Sequence, residues 1–263
     1  LTNYLNKNKF DMIGVSVIAG YYQYRKLLKI SKAINKSKNR PFYVMGGHGP
    51  TPEPEYFLKK TKADAVVMGE GEVTVIELIE AIKGKLPFSS VKGIAYRKNG
   101  KVLINPRRDL IRDLDSIPLP AYELFPMEYY RLIRMPHSAN SDLVMPILSG
   151  RGCTFQCNYC YRLDKGFRPR SSESIIEEIR LLKEKYNITY FAFSDELLMS
   201  SEYRTISICN DFIKAKLNIK WDCNGRLNFA KPEILKLMKK AGCVFINYGI
   251  ESFNDEILKN MNK

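Results

Sequence analysis

Between residue 1 and about residue 85, short apolar runs alternate with amphipathic segments, the pattern of a parallel sheet with crossover helices. Met12 to Val17, Pro41 to Met45 and Asp64 to Met68 read as strands, and Tyr21 to Ser37, Pro52 to Lys60 and Glu72 to Lys83 as helices. Ligands bind at the carboxyl ends of such strands. Here those ends are the loops Ser16-Val17-Ile18-Ala19-Gly20, Gly46-Gly47-His48-Gly49-Pro50 and Gly69-Glu70-Gly71-Glu72. The two periods alternate again from Asp142. Leu143 to Leu148 reads as a strand, followed by a helix from Ser172 to Tyr186 with the apolar face Ile175, Ile176, Ile179 and Leu182. Next come strand Thr189 to Phe193, helix Tyr203 to Lys216, strand Ile219 to Cys223, helix Pro232 to Ala241 and strand Val244 to Gly249. Pro232 suits a first helical turn, where its missing N–H costs nothing.

Residues 86 to about 140 lack this alternation and read as a connector. Asn99-Gly100 between Ile94-Ala95-Tyr96 and Val102-Leu103-Ile104 signals a tight hairpin. Ile117-Pro118-Leu119-Pro120-Ala121 reads as an extended strap, because each proline drives its predecessor out of helical space.

At 263 residues the chain is long enough for two cores. No 18-residue apolar run occurs, so no membrane span is expected, and Leu1 to Phe10 is too polar for a secretory signal. The formal charge of +14 invites a nucleic-acid partner, but the basic residues are spread along helix faces (Lys26, Lys29, Lys32, Lys36, Lys38) rather than clustered. The spread weighs against nucleic acid and leaves an acidic small molecule or a peptide as substrate. Both ends look cut, with Leu1 in place of a Met and Lys263 at the start of a helix, as in a fragment truncated at both termini.

Cys153, Cys157 and Cys160 form a C-x3-C-x2-C triplet within Ser149-Gly150-Arg151-Gly152-Cys153-Thr154-Phe155-Gln156-Cys157-Asn158-Tyr159-Cys160. Iron-sulfur clusters are usually held by four thiolates, so three leave one iron open to a small molecule. A zinc site would want a fourth Cys or His, and a disulfide would want an oxidising compartment. Cys209, Cys223 and Cys243 stand singly in apolar stretches and read as small core hydrophobes.

The spacing, with an aromatic at Tyr159 before the third cysteine, resembles the radical S-adenosylmethionine (radical SAM) superfamily. The resemblance implies a 4Fe-4S cluster on Cys153, Cys157 and Cys160, with S-adenosylmethionine on the open iron and Tyr159 near its adenine. The first half resembles the cobalamin-binding domain that precedes the barrel in one large subfamily. Ser16-Val17-Ile18 matches its S-x-L, Gly46-Gly47 follows after the next strand, and Gly69-Glu70-Gly71-Glu72 with Thr74 is a further hallmark. The subfamily's D-x-H-x-x-G loop would lie upstream of Leu1. His48 follows the wrong strand to be its histidine, while Glu70 and Glu72 suit helix amide ends. The strap matches the subfamily's D-x-I-P-x-P.

The fold expected is α/β: a Rossmann-like cobalamin-binding-type domain over 1–85, the connector over 86–140, and over 141–263 the first four strands of a partial (β/α)6 radical SAM barrel. Reactive groups gather at the carboxyl ends of barrel strands, which makes Asp195 and Glu196 candidates for the cofactor's ammonium. Arg226 would meet its carboxylate or a neighbouring acid, and Glu251 and Ser252 of the G-I-E-S signature its ribose. Ser16, Gly46 and Gly47 would line the cobalamin tail, where bare backbone allows close approach. An electron from a donor such as flavodoxin or ferredoxin would cleave the sulfonium bond, and the resulting radical would take a substrate hydrogen. Methyl transfer to an unactivated carbon is the outcome favoured. Cyclisation, rearrangement, or a non-catalytic electron-transfer module are the alternatives. Thiolate ligation points to a reducing, anaerobic cytoplasm.

Overall fold

In a computed structural model that describes residues 1–18, 20–162 and 164–263, the chain divides into Leu1–Ile111 and Arg112–Lys263. Ala19 of the first loop lies outside the described residues.

The first unit runs α1 (Thr2–Lys7), β1 (Met12–Ser16), α2 (Tyr21–Asn35), β2 (Phe42–Gly46), α3 (Pro54–Thr61), β3 (Ala65–Val67), α4 (Glu72–Ile82), β4 (Ile94–Lys98) and β5 (Lys101–Ile104). The strands lie in chain order, β1 to β3 parallel and β4 and β5 antiparallel. Every residue of β3 is buried, as expected for a strand covered on both faces. Leu5, Leu27, Ile34 and Leu58 of the first three helices pack on one face, and Leu78 and Ala81 of α4 on the other. The hairpin read as part of a connector instead completes this sheet. Asn99 and Gly100 both take positive φ, the turn that two-residue hairpins need, and β4 pairs with β3 through Ala65↔Tyr96 to Val67↔Ile94.

The second unit contains α5 (Met127–Tyr130), β6 (Val144–Ile147), β7 (Gly150–Cys153), β8 (Gly166–Pro169), α6 (Ser172–Tyr186), β9 (Tyr190–Phe193), α7 (Glu202–Lys214), β10 (Lys220–Gly225), α8 (Pro232–Lys240), β11 (Cys243–Tyr248) and α9 (Asp255–Asn260). Strands β6, β9, β10 and β11 form a parallel sheet in that order, each step crossing through one helix. Helix α6 spans the residues its periodicity marks out because both ends are capped: the Ser171 hydroxyl accepts the Ser174 N–H, and Asn187 closes the helix in the left-handed region. On the helix side of the sheet Trp221 stands edge-on to Phe193 and Phe212, with ring centroids 5.7 and 6.1 Å away. The strap is tied to α6: Tyr122 donates its hydroxyl to buried Glu178, which also pairs with Arg170, and Asp115 accepts the Ser171 N–H at 3.1 Å. Among the described residues no helix is long and apolar enough to cross a membrane.

Candidate cluster and cofactor site

The thiol loop leaves the sheet at the end of β6 and is closed by a short ribbon absent from the sequence reading, in which β7 pairs antiparallel with β8 and Cys153 faces Gly166. Gly152 makes the ribbon possible: it has φ +83°, and a Cβ there would lie 2.2 Å from the Gly166 carbonyl oxygen. Cys153 is half-buried, Cys157 buried and Cys160 exposed, and all six cysteines are free thiols. Burial pushes the Cys160 thiol up, and negative charge at Cys157 and Cys153 pushes it further. Ligation to iron, which takes thiols as thiolates, would offset that cost. Among the described residues no three His, Cys, Asp or Glu side chains converge as they would on one ion. The loop is latched on its far side by the segment after α9: Asn158 donates its N–H to Met261 O (3.0 Å) and its amide to Asn260 O (2.9 Å), while Asn262 donates to Gln156 O (2.8 Å).

The two acidic residues after β9 differ in role. Asp195 is 1 % exposed and accepts the Ser149 N–H at 2.9 and 3.0 Å and its hydroxyl at 3.1 Å. Burial pushes its carboxyl up to about 6 against bonds from Ser149 and Gly150 and the charge of Arg204. Its carboxylate is engaged at the root of the thiol loop. Arg204 grips the same residue, donating to Ser149 O at 2.6 Å. Glu196 is exposed and accepts the Gly152 N–H at 3.1 Å, beside Cys153, which leaves its other oxygen for a ligand.

The ends of β10 and β11 complete the rim. Asn224 donates to Asp195 O (2.8 Å) and accepts from Asn247 (3.1 Å), a chain of amides across three strand ends. Arg226, read as a partner for the cofactor's carboxylate or a neighbouring acid, meets no acidic side chain among the described residues. Its guanidinium lies 3.6 Å over the Phe155 ring, with Nη1 3.8 Å from Cys157 Sγ. Glu251, with φ +63°, is held by Tyr159 and Lys263, which keep its carboxyl below the usual range. Ser252 turns its hydroxyl to the Asn254 N–H at 3.1 Å, a local turn contact. The rim therefore gathers the three cysteines, Tyr159, Glu196, Arg226 and Glu251. The ribbon, the latch and the Arg226 to Phe155 stack escaped sequence reasoning; the only local sign was glycine on both sides of Arg151.

In the first unit the three strand-end loops are joined. Val17 N–H donates to Gly46 O (2.9 Å), Gly49 N–H to Val17 O (3.0 Å) and Gly69 N–H to Thr51 Oγ1 (3.2 Å). Gly47, with φ +97°, is dictated by the chain itself, since a Cβ would lie 2.6 Å from Val17 O, whereas a Cβ on Gly46 would meet only ordinary contacts at 3.6 Å and beyond. Ser16 is exposed at this ledge beside Ile18, Tyr21 and Tyr22, which are 70, 68 and 77 % exposed. Apolar side chains left open at a strand-end ledge suit a large, partly apolar ligand such as a corrin. His48 is an exposed loop residue.

The Radical SAM superfamily profile matches residues 147–263 and the B12 binding domain profile residues 1–79. The chain belongs to the radical SAM superfamily, in the branch that carries a B12-binding domain. It is 33 % identical over 258 residues to an uncharacterized methyltransferase of Pyrococcus horikoshii, covering 96 % of this chain and 54 % of that one. It is 29 % identical over 265 residues to an anaerobic magnesium-protoporphyrin IX monomethyl ester cyclase of Rubrivivax gelatinosus, covering 97 % and 46 %. The chain thus spans about half the length of these curated relatives. Its fold matches the cobalamin-dependent S-adenosylmethionine radical enzyme OxsB with aqua-cobalamin and S-adenosylmethionine bound, with TM-score 0.77, 24 % identity, 99 % of this chain and 38 % of that one. It also matches the radical S-adenosylmethionine methyltransferase TsrM from Kitasatospora setae, with TM-score 0.76, 18 % identity, 97 % and 51 %.

Proposed function

We propose that the protein is a cobalamin-dependent radical SAM enzyme that transfers a methyl group to an unactivated carbon of a small molecule or peptide, using electrons from a flavodoxin- or ferredoxin-like donor. The observation that carries this is three free thiols gripped in one loop at the carboxyl ends of parallel strands, in a chain a third identical to a methyltransferase. Cys153, Cys157 and Cys160 would hold the 4Fe-4S cluster. Glu196 and Glu251 would accept from S-adenosylmethionine, with Tyr159 beside it. Ser16 and Gly46 would face the cobalamin. When bound, these groups supply the one-electron cleavage and the methyl carriage. The chain's own residues set the thiols apart, orient the loop through Ser149 and the α9 latch, and offer acceptors at the rim. Likeness to the Rubrivivax cyclase supports ring closure as a second outcome.

Anaerobic reconstitution with iron and sulfide tests this reading, followed by dithionite and S-adenosylmethionine. We expect one cluster and release of deoxyadenosine, both lost in Cys157→Ala and kept in Cys209→Ala. With hydroxocobalamin added and reduced by the dithionite to accept the methyl group, S-adenosylhomocysteine formed alongside would indicate methyl transfer, and its absence would favour cyclisation. A full cluster in Cys157→Ala, or a loaded protein that releases no deoxyadenosine, would overturn the proposal.

A further inference from the structure

We propose that Arg226 is the charge partner of the Cys157 sulfur and sets how readily the cluster accepts its electron. The inference rests on the reading of the thiol loop as a 4Fe-4S site. Arg226 leaves the end of β10 and is 8 % exposed, which places a guanidinium that stays charged inside the protein. A buried cation is unfavourable unless its charge and its donors are met. Here the charge meets no carboxylate among the described residues. One face of the guanidinium covers the Phe155 ring at 3.6 Å, a cation–π contact, and Phe155 is itself backed by Phe229 at 6.2 Å. One nitrogen, Nη1, reaches Cys157 Sγ at 3.8 Å. Another, Nε, is buried with no acceptor among the described residues. A charged fork that stacks on the thiol loop, touches one thiol and keeps a donor in reserve is suited to an anionic sulfur centre.

Three thiolates on a 4Fe-4S core leave a net negative charge, and adding an electron makes it more negative. A fixed positive charge at one ligand sulfur favours the reduced state, because hydrogen bonds to the sulfurs and local net charge set the potential of such clusters. The step concerned is the uptake of one electron by the oxidised cluster from a low-potential one-electron donor, with no bond made or broken and no proton moved. Arg226 would therefore shift the balance between the oxidised and reduced cluster.

The protein is reconstituted anaerobically, and its cluster is titrated against potential by electron paramagnetic resonance without S-adenosylmethionine. In Arg226→Gln the reduced-to-oxidised ratio at a given potential should fall at least tenfold, a midpoint 59 mV lower for one electron. Arg226→Lys should recover most of that fall. Phe155→Leu, which disturbs the packing and keeps the cation, should leave the midpoint in place. In the wild type labelled with 15N-arginine, the reduced cluster should show a hyperfine interaction with arginine nitrogen that Arg226→Lys removes. An unmoved midpoint in a fully loaded Arg226→Gln, or equal shifts in Arg226→Gln and Phe155→Leu, would overturn the inference. If Arg226→Gln assembles no cluster, the labelling decides: no arginine hyperfine interaction in the wild type overturns it. A wild type that forms no cluster overturns the function proposed above and this inference with it, whereas a cluster indifferent to Arg226 overturns this inference alone.

Discussion

The loops after β1, β2 and β3 are bound to one another mainly through backbone, Val17 to Gly46 and Gly49 to Val17, with one hydroxyl from Thr51. The root of the thiol loop is held instead by ionisable side chains, two of them buried carboxylates: Asp195 and Arg204 on Ser149, and Glu178 between Arg170 and Tyr122. The first arrangement joins neighbours at little electrostatic cost but requires glycine where the backbones touch. The second ties together residues far apart in sequence, and it holds only while every charge keeps its partner, because a buried charge left alone is strongly unfavourable.

Glu178→Ala tests the second arrangement most severely. It would leave half-buried Arg170 without its carboxylate and free the strap's buried Tyr122, so urea unfolding should show a loss of about 3 kcal/mol. A loss under about 1 kcal/mol would mean that the charges do not hold this region. Asp195 carries a smaller effect with a definite sign. Its carboxyl is raised from the ordinary 3.8 to about 6. Between those values the folded protein keeps a proton that the unfolded chain has released, so the residue's contribution to stability falls as pH rises through that window and stays lost above it. Relative to Asp195→Asn, the wild type should weaken by about 2 kcal/mol from pH 4 to 7, since each pKa unit corresponds to about 1.36 kcal/mol and the loss has already begun at pH 4. A pH-independent difference in thermal stability would refute this. The first arrangement predicts the smallest change. Gly47→Ala should cost about 1–2 kcal/mol for its left-handed backbone, with the close approach of Val17 O adding to it. Gly46→Ala should be neutral or stabilising by up to about 1 kcal/mol. Equal effects in chemical denaturation would show that Gly47 is not the junction's constraint.

What could be read in advance follows the same division between near and far. The positions of the main strands, the span of α6 and the hairpin turn at Asn99 and Gly100 are set by residues within a few positions of one another. The cysteine spacing is equally local. The hairpin's place in the first sheet depends on pairing Ile94 with Val67, which nothing near Asn99 announces. Helix α1 has one buried residue, Leu5, too few to make a period. The ribbon of β7 and β8 is built on Gly150 and Gly152, which lack the alternation of an ordinary strand. Asp195 and Glu196 look alike in sequence, and only the burial of one separates them. For Arg226 the residue was legible and its surroundings were not, because Cys157 lies 69 positions earlier.

The latch by which Asn158 holds Asn260 spans 102 residues, which gives the thiol loop a history during synthesis. At about 5–20 residues per second, roughly 5–20 s pass between translation of Asn158 and translation of Asn260. Through that interval the three thiols are already made while one side of their loop has no partner. The loop takes its final shape only once the residues around Asn260 have been made, so iron and sulfide delivered before that point would meet thiols in an open segment, and those delivered after it would meet a closed one.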